Sequence, residues 1–102
     1  MVKGKLYKIA NLHKNKRNNF LVSYAAHGLK DGIGWLWTSN YDHRRFATFK
    51  DGDIFVCLGK KEHDDNEGQA YYGITTWYEA AGPDGKVHRI SPATRSSYFR
   101  NP

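Results

Sequence analysis

The sequence predicts an all-β fold: a small closed or partly open five-stranded barrel with one short helix between strands three and four. Three observations predict it. Short runs rich in aromatic and β-branched residues alternate apolar and polar positions, the period of a strand. Clusters of Gly, Asn, Asp and Pro separate those runs at intervals suited to tight turns. A chain of 102 residues supports one modest core, and a handful of short strands must close on themselves to avoid open edges.

Strand one is expected over residues 5–12, KLYKIANL. Tyr7 and Ile9 share one face, Leu6 and Ala10 the other, so a bulge or a covered second face is implied. Residues 13–19, HKNKRNN, form a loop, because asparagines compete with strand ladders and the three cations need water or phosphate. Residues 20–39 read as a hairpin. Phe20, Val22, Tyr24 and Ala26 alternate with Leu21, Ser23 and Ala25, and Trp35 and Trp37 alternate with Leu36 and Thr38. The connector HGLKDGIG carries three glycines and an Asp-Gly pair. If Leu36 enters the core, Trp35 and Trp37 both face away from it.

Residues 40–50 break the alternation. Tyr41, Arg45 and Phe49 fall at helical spacing, with Arg45 the misfit of a buried stripe, and Asp42 is a candidate cap for one or two helical turns. Asp51-Gly52-Asp53 turns into strand four, DIFVCLG, in which Ile54, Val56 and Leu58 are expected in the core. Cys57, the single cysteine, reads there as a small strand residue. Residues 59–68 form an exposed hairpin loop. Strand five is expected over 69–79, with Gly73 marking a bulge or a close backbone approach. AGPDG, 81–85, is a turn. The division is therefore a barrel over 1–85 and a basic strand and tail over 86–102; a strand at 86–90 would offer a sheet edge for a homodimer.

Charge is segregated. Residues 1–30 hold seven basic residues and no acid, residues 86–102 four and no acid, and the middle is net acidic; the whole chain is +6. Basic ends suit a polyanion held on one side of the molecule, although small soluble proteins are often basic for solubility alone. No apolar run reaches membrane-spanning or signal-peptide length. One cysteine excludes an intrachain disulfide and points to a reducing compartment, the cytoplasm.

Residues 49–79, FKDGDIFVCLGKKEHDDNEGQAYYGITTWYE, resemble the OB-fold pattern of a Gly-Asp turn, an apolar fourth strand ending in glycine, a polar loop and a fifth strand. The lysine-rich first strand, basic loop and second strand look like the start of an OB or cold-shock barrel, and the resemblance covers about residues 5–80. The Lys-x-Gly-Asp element is shared with SH3-like and PUA-like barrels, and the cold-shock aromatic motifs are absent. The resemblance implies an oligonucleotide or oligosaccharide bound on strands two and three, residues 20–26 and 34–39, flanked by loops 13–19 and 60–67.

Binding a single strand needs aromatic platforms and cations. Trp35 and Trp37 are the candidate platforms, with Phe20 or Tyr24 on the facing strand. Lys14, Lys16 and Arg17 are the candidate phosphate contacts, and Arg44 and Arg45 the candidate groove edge. Tyr98, Phe99 and Arg100 could fold over a bound strand. Glu62, Asp64, Asp65 and Glu67 would repel phosphate, so the loop over 62–67 is a candidate docking site for a protein partner; its spacing does not fit an EF-hand. The five histidines lack zinc-ligand spacing, and no phosphate loop, nucleophile elbow or paired catalytic carboxylates occur. No cofactor, metal or enzymatic activity is expected. The expected function is binding of single-stranded DNA or RNA with weak sequence preference. The alternative is a small viral or mobile-element regulator that binds a host protein through the same aromatic face.

Overall fold

The computed structural model describes residues 1–12, 20–24, 33–40 and 47–102, with backbone only at Tyr24 and Glu67. Their strands are β1 (Leu6–Ile9), β2 (Phe20–Tyr24), β3 (Gly34–Ser39), β4 (Thr48–Phe49), β5 (Ile54–Glu62), β6 (Thr76–Ala81), β7 (Val87–Ile90) and β8 (Phe99–Arg100); α1 spans Pro92–Tyr98. All eight strands join one sheet in the order β4-β2-β3-β7-β6-β5-β1-β8, which curls into a half-barrel. The β3–β7 pair is parallel, and the other described pairs are antiparallel. Among the described residues the fold is mostly β, as expected, with one short helix, but that helix follows β7, and there are eight strands and not five.

The expected hairpin of β2 and β3 is present, in a register from Phe20 opposite Ser39 to Tyr24 opposite Trp35. That register puts Leu21, Ser23 and Leu36 on the concave side and Val22, Trp35 and Trp37 on the convex side. The concave side holds the core: Tyr7, Ile9, Leu12, Leu21, Leu36, Phe49, Phe55, Cys57, Ala80, Ile90 and Phe99. Phe55 lies at its centre, edge-on to Phe49 (centroids 4.8 Å apart) and to Phe99 (5.4 Å). Removing each such side chain from water contributes roughly 1.5–3 kcal/mol.

Four expectations change. First, β5 has the opposite face buried. Phe55 and Cys57 are in the core, Val56 is half-buried, and Ile54 and Leu58 are exposed. Both faces of DIFVCLG are apolar, so alternation alone could not choose. Tyr7 pairs with Phe55 and Leu6 with Val56, which sends the large ring inward and leaves Leu6 on the convex side, 53% exposed. Second, residues 69–75 are not strand. Tyr71–Gly73 is a single 3-10 turn with positive φ at Tyr72 (49°) and Gly73 (70°), and β6 begins only at Thr76. Positive φ removes a residue from the extended geometry that pairing needs. Third, the C-terminal segment is not a tail. β7 lies inside the sheet between β3 and β6, so it is no free edge for a dimer. The segment then forms α1, with Pro92 in the first turn and the Ser91 hydroxyl accepting from Thr94 N–H at 3.2 Å, a standard helix start. Phe99 then enters the core from β8, which pairs with β1. Fourth, Thr48–Phe49, within the 40–50 stretch expected to hold one or two helical turns, is strand β4, and residues 41–46 of that stretch lie outside the described residues.

A buried polar chain ties β2 to β7. His88 Nε2 lies 2.9 Å from an Asp84 carboxylate oxygen, and His88 Nδ1 lies 2.7 Å from Ser23 Oγ. Carboxylate oxygens accept, so Nε2–H donates to Asp84 and, in the neutral ring, Nδ1 accepts from the Ser23 hydroxyl. Ser, His and Asp together resemble a hydrolase relay in residue type. Here the Ser23 side chain faces the core, the residue is 7% exposed, and the chain satisfies polar groups that would otherwise be buried unpaired.

Gly82 opens the β6–β7 turn, where a Cβ would sit 2.8 Å from Cε2 and 3.2 Å from Cζ of Phe55. Gly82→Ala is therefore expected to overpack the core and destabilise the fold by about 1–3 kcal/mol. Urea denaturation should show a lower midpoint with an unchanged slope.

Candidate nucleic-acid interface

The convex side has an aromatic half and an aliphatic half. The aromatic half grows from β3. Alternation turns Trp35 and Trp37 away from the core, as expected, but Trp35 is only 2% exposed. Both faces of β3 are covered here. Trp77 from β6 packs edge-on to Trp35 (5.6 Å), and Tyr71 stacks nearly parallel on it (5.8 Å, 24°). Arg89 of β7, opposite Trp35 in the parallel register, places its guanidinium 5.7 Å from the Trp35 ring and 5.1 Å from the Trp77 ring. Such contacts contribute about 0.5–1 kcal/mol each at accessible sites.

Trp37 is half-buried. It lies 6.3 Å from Trp35, 6.3 Å from Tyr71 and 5.9 Å from Tyr72, edge-on to the last. Tyr72 is 80% exposed. Trp37, Tyr71 and Tyr72 thus make an outward ledge over a floor of Trp35 and Trp77. Burial pushes the Tyr71 phenol above its usual range, and the neighbouring Tyr72 adds to the effect. Lys61, exposed and paired with Trp77 across β5 and β6, supplies a cation beside the ledge.

Two features of this cluster are costly. Tyr72 holds a left-handed backbone without being glycine, a conformation that costs on the order of 1–3 kcal/mol and gathers at ligand clamps and switches. The indole N–H groups of Trp35 and Trp77 are buried with no acceptor among the described residues, and a buried donor left unpaired costs about 1–3 kcal/mol.

The expected site residues therefore divide. Trp37 is on the ledge, and Trp35 is its floor and not an exposed platform. Phe20 is half-buried at the far end of β2, opposite Ser39. Tyr24 sits opposite Trp35 by backbone register. Lys14, Lys16, Arg17, Arg44 and Arg45 lie outside the described residues. Sequence reasoning missed Tyr71, Tyr72, Trp77 and Arg89 as members of the site. The signal available was the Tyr-Tyr-Gly triplet, aromatic bulk beside a residue that permits a sharp turn.

No protein-family model matches the chain, and no curated protein or solved structure matches it.

The aliphatic half of the convex side carries exposed Leu6, Ile54 and Leu58 around β1 and β5, with Lys8 opposite Ile54. At the tip of the β5–β6 hairpin, Asp64 caps a 3-10 turn over Asp65–Glu67 by accepting from Asn66 N–H at 2.9 Å. His63 Nε2 lies 2.7 Å from the Gly68 carbonyl oxygen, to which it donates. Among the described residues no group of three or more His, Cys, Asp or Glu could hold a metal ion, and no helix is long and apolar enough to cross a membrane.

Proposed function

We propose that this protein binds single-stranded DNA or RNA with weak sequence preference, the bases stacking on the ledge of Trp37, Tyr71 and Tyr72. The observation that carries the reading is the ledge itself: Trp37 and the 80%-exposed Tyr72 meet at 5.9 Å on the convex face of β3. Contiguous exposed apolar surface, unlike scattered single residues, marks interaction sites, and base stacking on a side chain contributes roughly 1–3 kcal/mol whatever the base. Lys61 supplies charge beside the ledge. Lys14, Lys16, Arg17, Arg44 and Arg45 provide the remaining phosphate contacts in this reading, in keeping with the +6 net charge. The OB-like resemblance of residues 5–80, one of sequence pattern alone, implies a ligand on the second and third strands. The protein acts by binding, without catalysis, in the cytoplasm.

The second reading is a regulator that docks a host protein on the same rings, and the exposed acids Glu62, Asp64 and Asp65 on the adjoining hairpin favour it. Salt separates the two. A 20-mer of dT or rU is titrated while tryptophan emission is followed at about 50 and about 200 mM salt. Six phosphate contacts at a slope of roughly −0.7 each give about a 300-fold loss of affinity across that range. Quenching with that loss supports strand binding. Absence of binding at the lower salt contradicts it and leaves the protein-docking reading.

A further inference from the structure

The floor of the ledge carries chemistry that surface stacking does not use. Trp35 and Trp77 pack edge-on, and each holds a buried indole N–H without an acceptor among the described residues. Stacking on exposed rings requires no such donors. Tyr71 covers Trp35 at 5.8 Å between centroids and 24° between planes, the disposition a stacked base would adopt. It sits on a single 3-10 turn with no side-chain cap, closed by Gly73 N–H to Ala70 O at 3.2 Å and Ile74 N–H to Tyr71 O at 3.0 Å. Tyr72 in that turn is held at φ 49°, so moving the turn releases backbone strain and breaks few bonds. Arg89, lying against both Trp35 and Trp77, shows that these rings already accommodate one flat polar group.

We propose that Tyr71 is a displaceable stand-in for a nucleobase. The turn over Tyr71–Gly73 swings out, one base of the bound strand stacks on Trp35, and the indole N–H of Trp77, whose ring stands edge-on to Trp35, donates to a ring-nitrogen or carbonyl acceptor on its edge. The inference rests on the nucleic-acid reading of this face and adds a ligand class to it: a single planar base with edge acceptors, bound beneath the ledge. Trp37, which stays on β3, then stacks a neighbouring base.

The test follows the indole N–H signals of the uniformly 15N-labelled full-length protein. On saturation with dT 20-mer, the Trp77 signal is expected to move to the position of a hydrogen-bonded indole and the Trp35 signal to shift with the ring current of the stacked base, and an abasic 20-mer should leave both in place. Tyr71→Ala, by removing the stand-in, is expected to raise the affinity for thymidine monophosphate by about fivefold or more, the low end of the range for one base stack. A plain platform would lose affinity on the same substitution. If the 20-mer binds and moves only the Trp37 signal, or if Tyr71→Ala weakens nucleotide binding, the base site is overturned and the ledge reading survives. If no indole signal responds to any oligonucleotide, both fall. The first arm uses the unmodified protein, so it stands even if Tyr71→Ala does not fold.

Discussion

Phe55→Ala is expected to remove about 3–5 kcal/mol of folding stability, and Ile54→Ala less than about 1 kcal/mol. The contrast follows from the face of β5 that enters the core. Phe55 is fully buried and edge-on to Phe49 and Phe99, so truncation leaves a void bounded by two rings and the His88 imidazole, whose centroid lies 6.1 Å away. Ile54 is 39% exposed and faces Lys8 across the ladder, so shortening it removes little buried surface. A domain of this size has on the order of 5–15 kcal/mol in total, so Phe55→Ala would remove a large share of it. Paired urea denaturation curves check both values. A larger loss from Ile54→Ala would restore the face expected from alternation.

That inversion shows where sequence reasoning is weak. The hairpin of residues 20–39 was legible because Trp35, Leu36 and Trp37 alternate cleanly beside a glycine-rich connector. Strand β5 was legible as a strand but not by face, because Ile54, Val56 and Leu58 compete with Phe55 and Cys57 and both sets are apolar. Only the partner strand decides, through Tyr7 opposite Phe55. Residues 69–75 were misread because Tyr71 and Tyr72 have strong strand propensity, and local propensity yielded to ring packing on Trp35. The C-terminal segment was misread because its basic composition suggested a tail, although Ser91-Pro92 is a readable helix start. At the site, Trp37 was legible. Its companions Tyr71, Tyr72, Trp77 and Arg89 come from a different hairpin and a parallel neighbour, and periodicity within one strand carries no trace of that.

The second large effect is on binding. Trp37→Ala is expected to weaken binding of a dT 20-mer by about 5- to 150-fold, the equivalent of one lost base stack at roughly 1–3 kcal/mol. Trp37 is half-buried at one edge of the cluster and touches Tyr71 and Tyr72 on its outer side, so its removal shortens the ledge and spares the core. Leu6→Ala, on the aliphatic half of the convex side, is expected to leave the affinity unchanged within about twofold, since single exposed substitutions alter energies by about 0.5 kcal/mol or less. Fluorescence anisotropy of a labelled oligonucleotide, with circular dichroism to confirm that each variant is folded, checks the pair. Equal losses in both would mean that the strand does not lie on the aromatic half.

Photocrosslinking reads directly whether bases lie on the convex face of β3. A 20-mer carrying 5-iodouracil is bound to the unmodified protein at low salt, irradiated and digested, and the crosslinked residues are mapped by mass spectrometry. Adducts on Trp37, Tyr71 or Tyr72 are the predicted result. Adducts confined to the β1–β5 half of the sheet or to α1, with none on those three rings, would contradict the account.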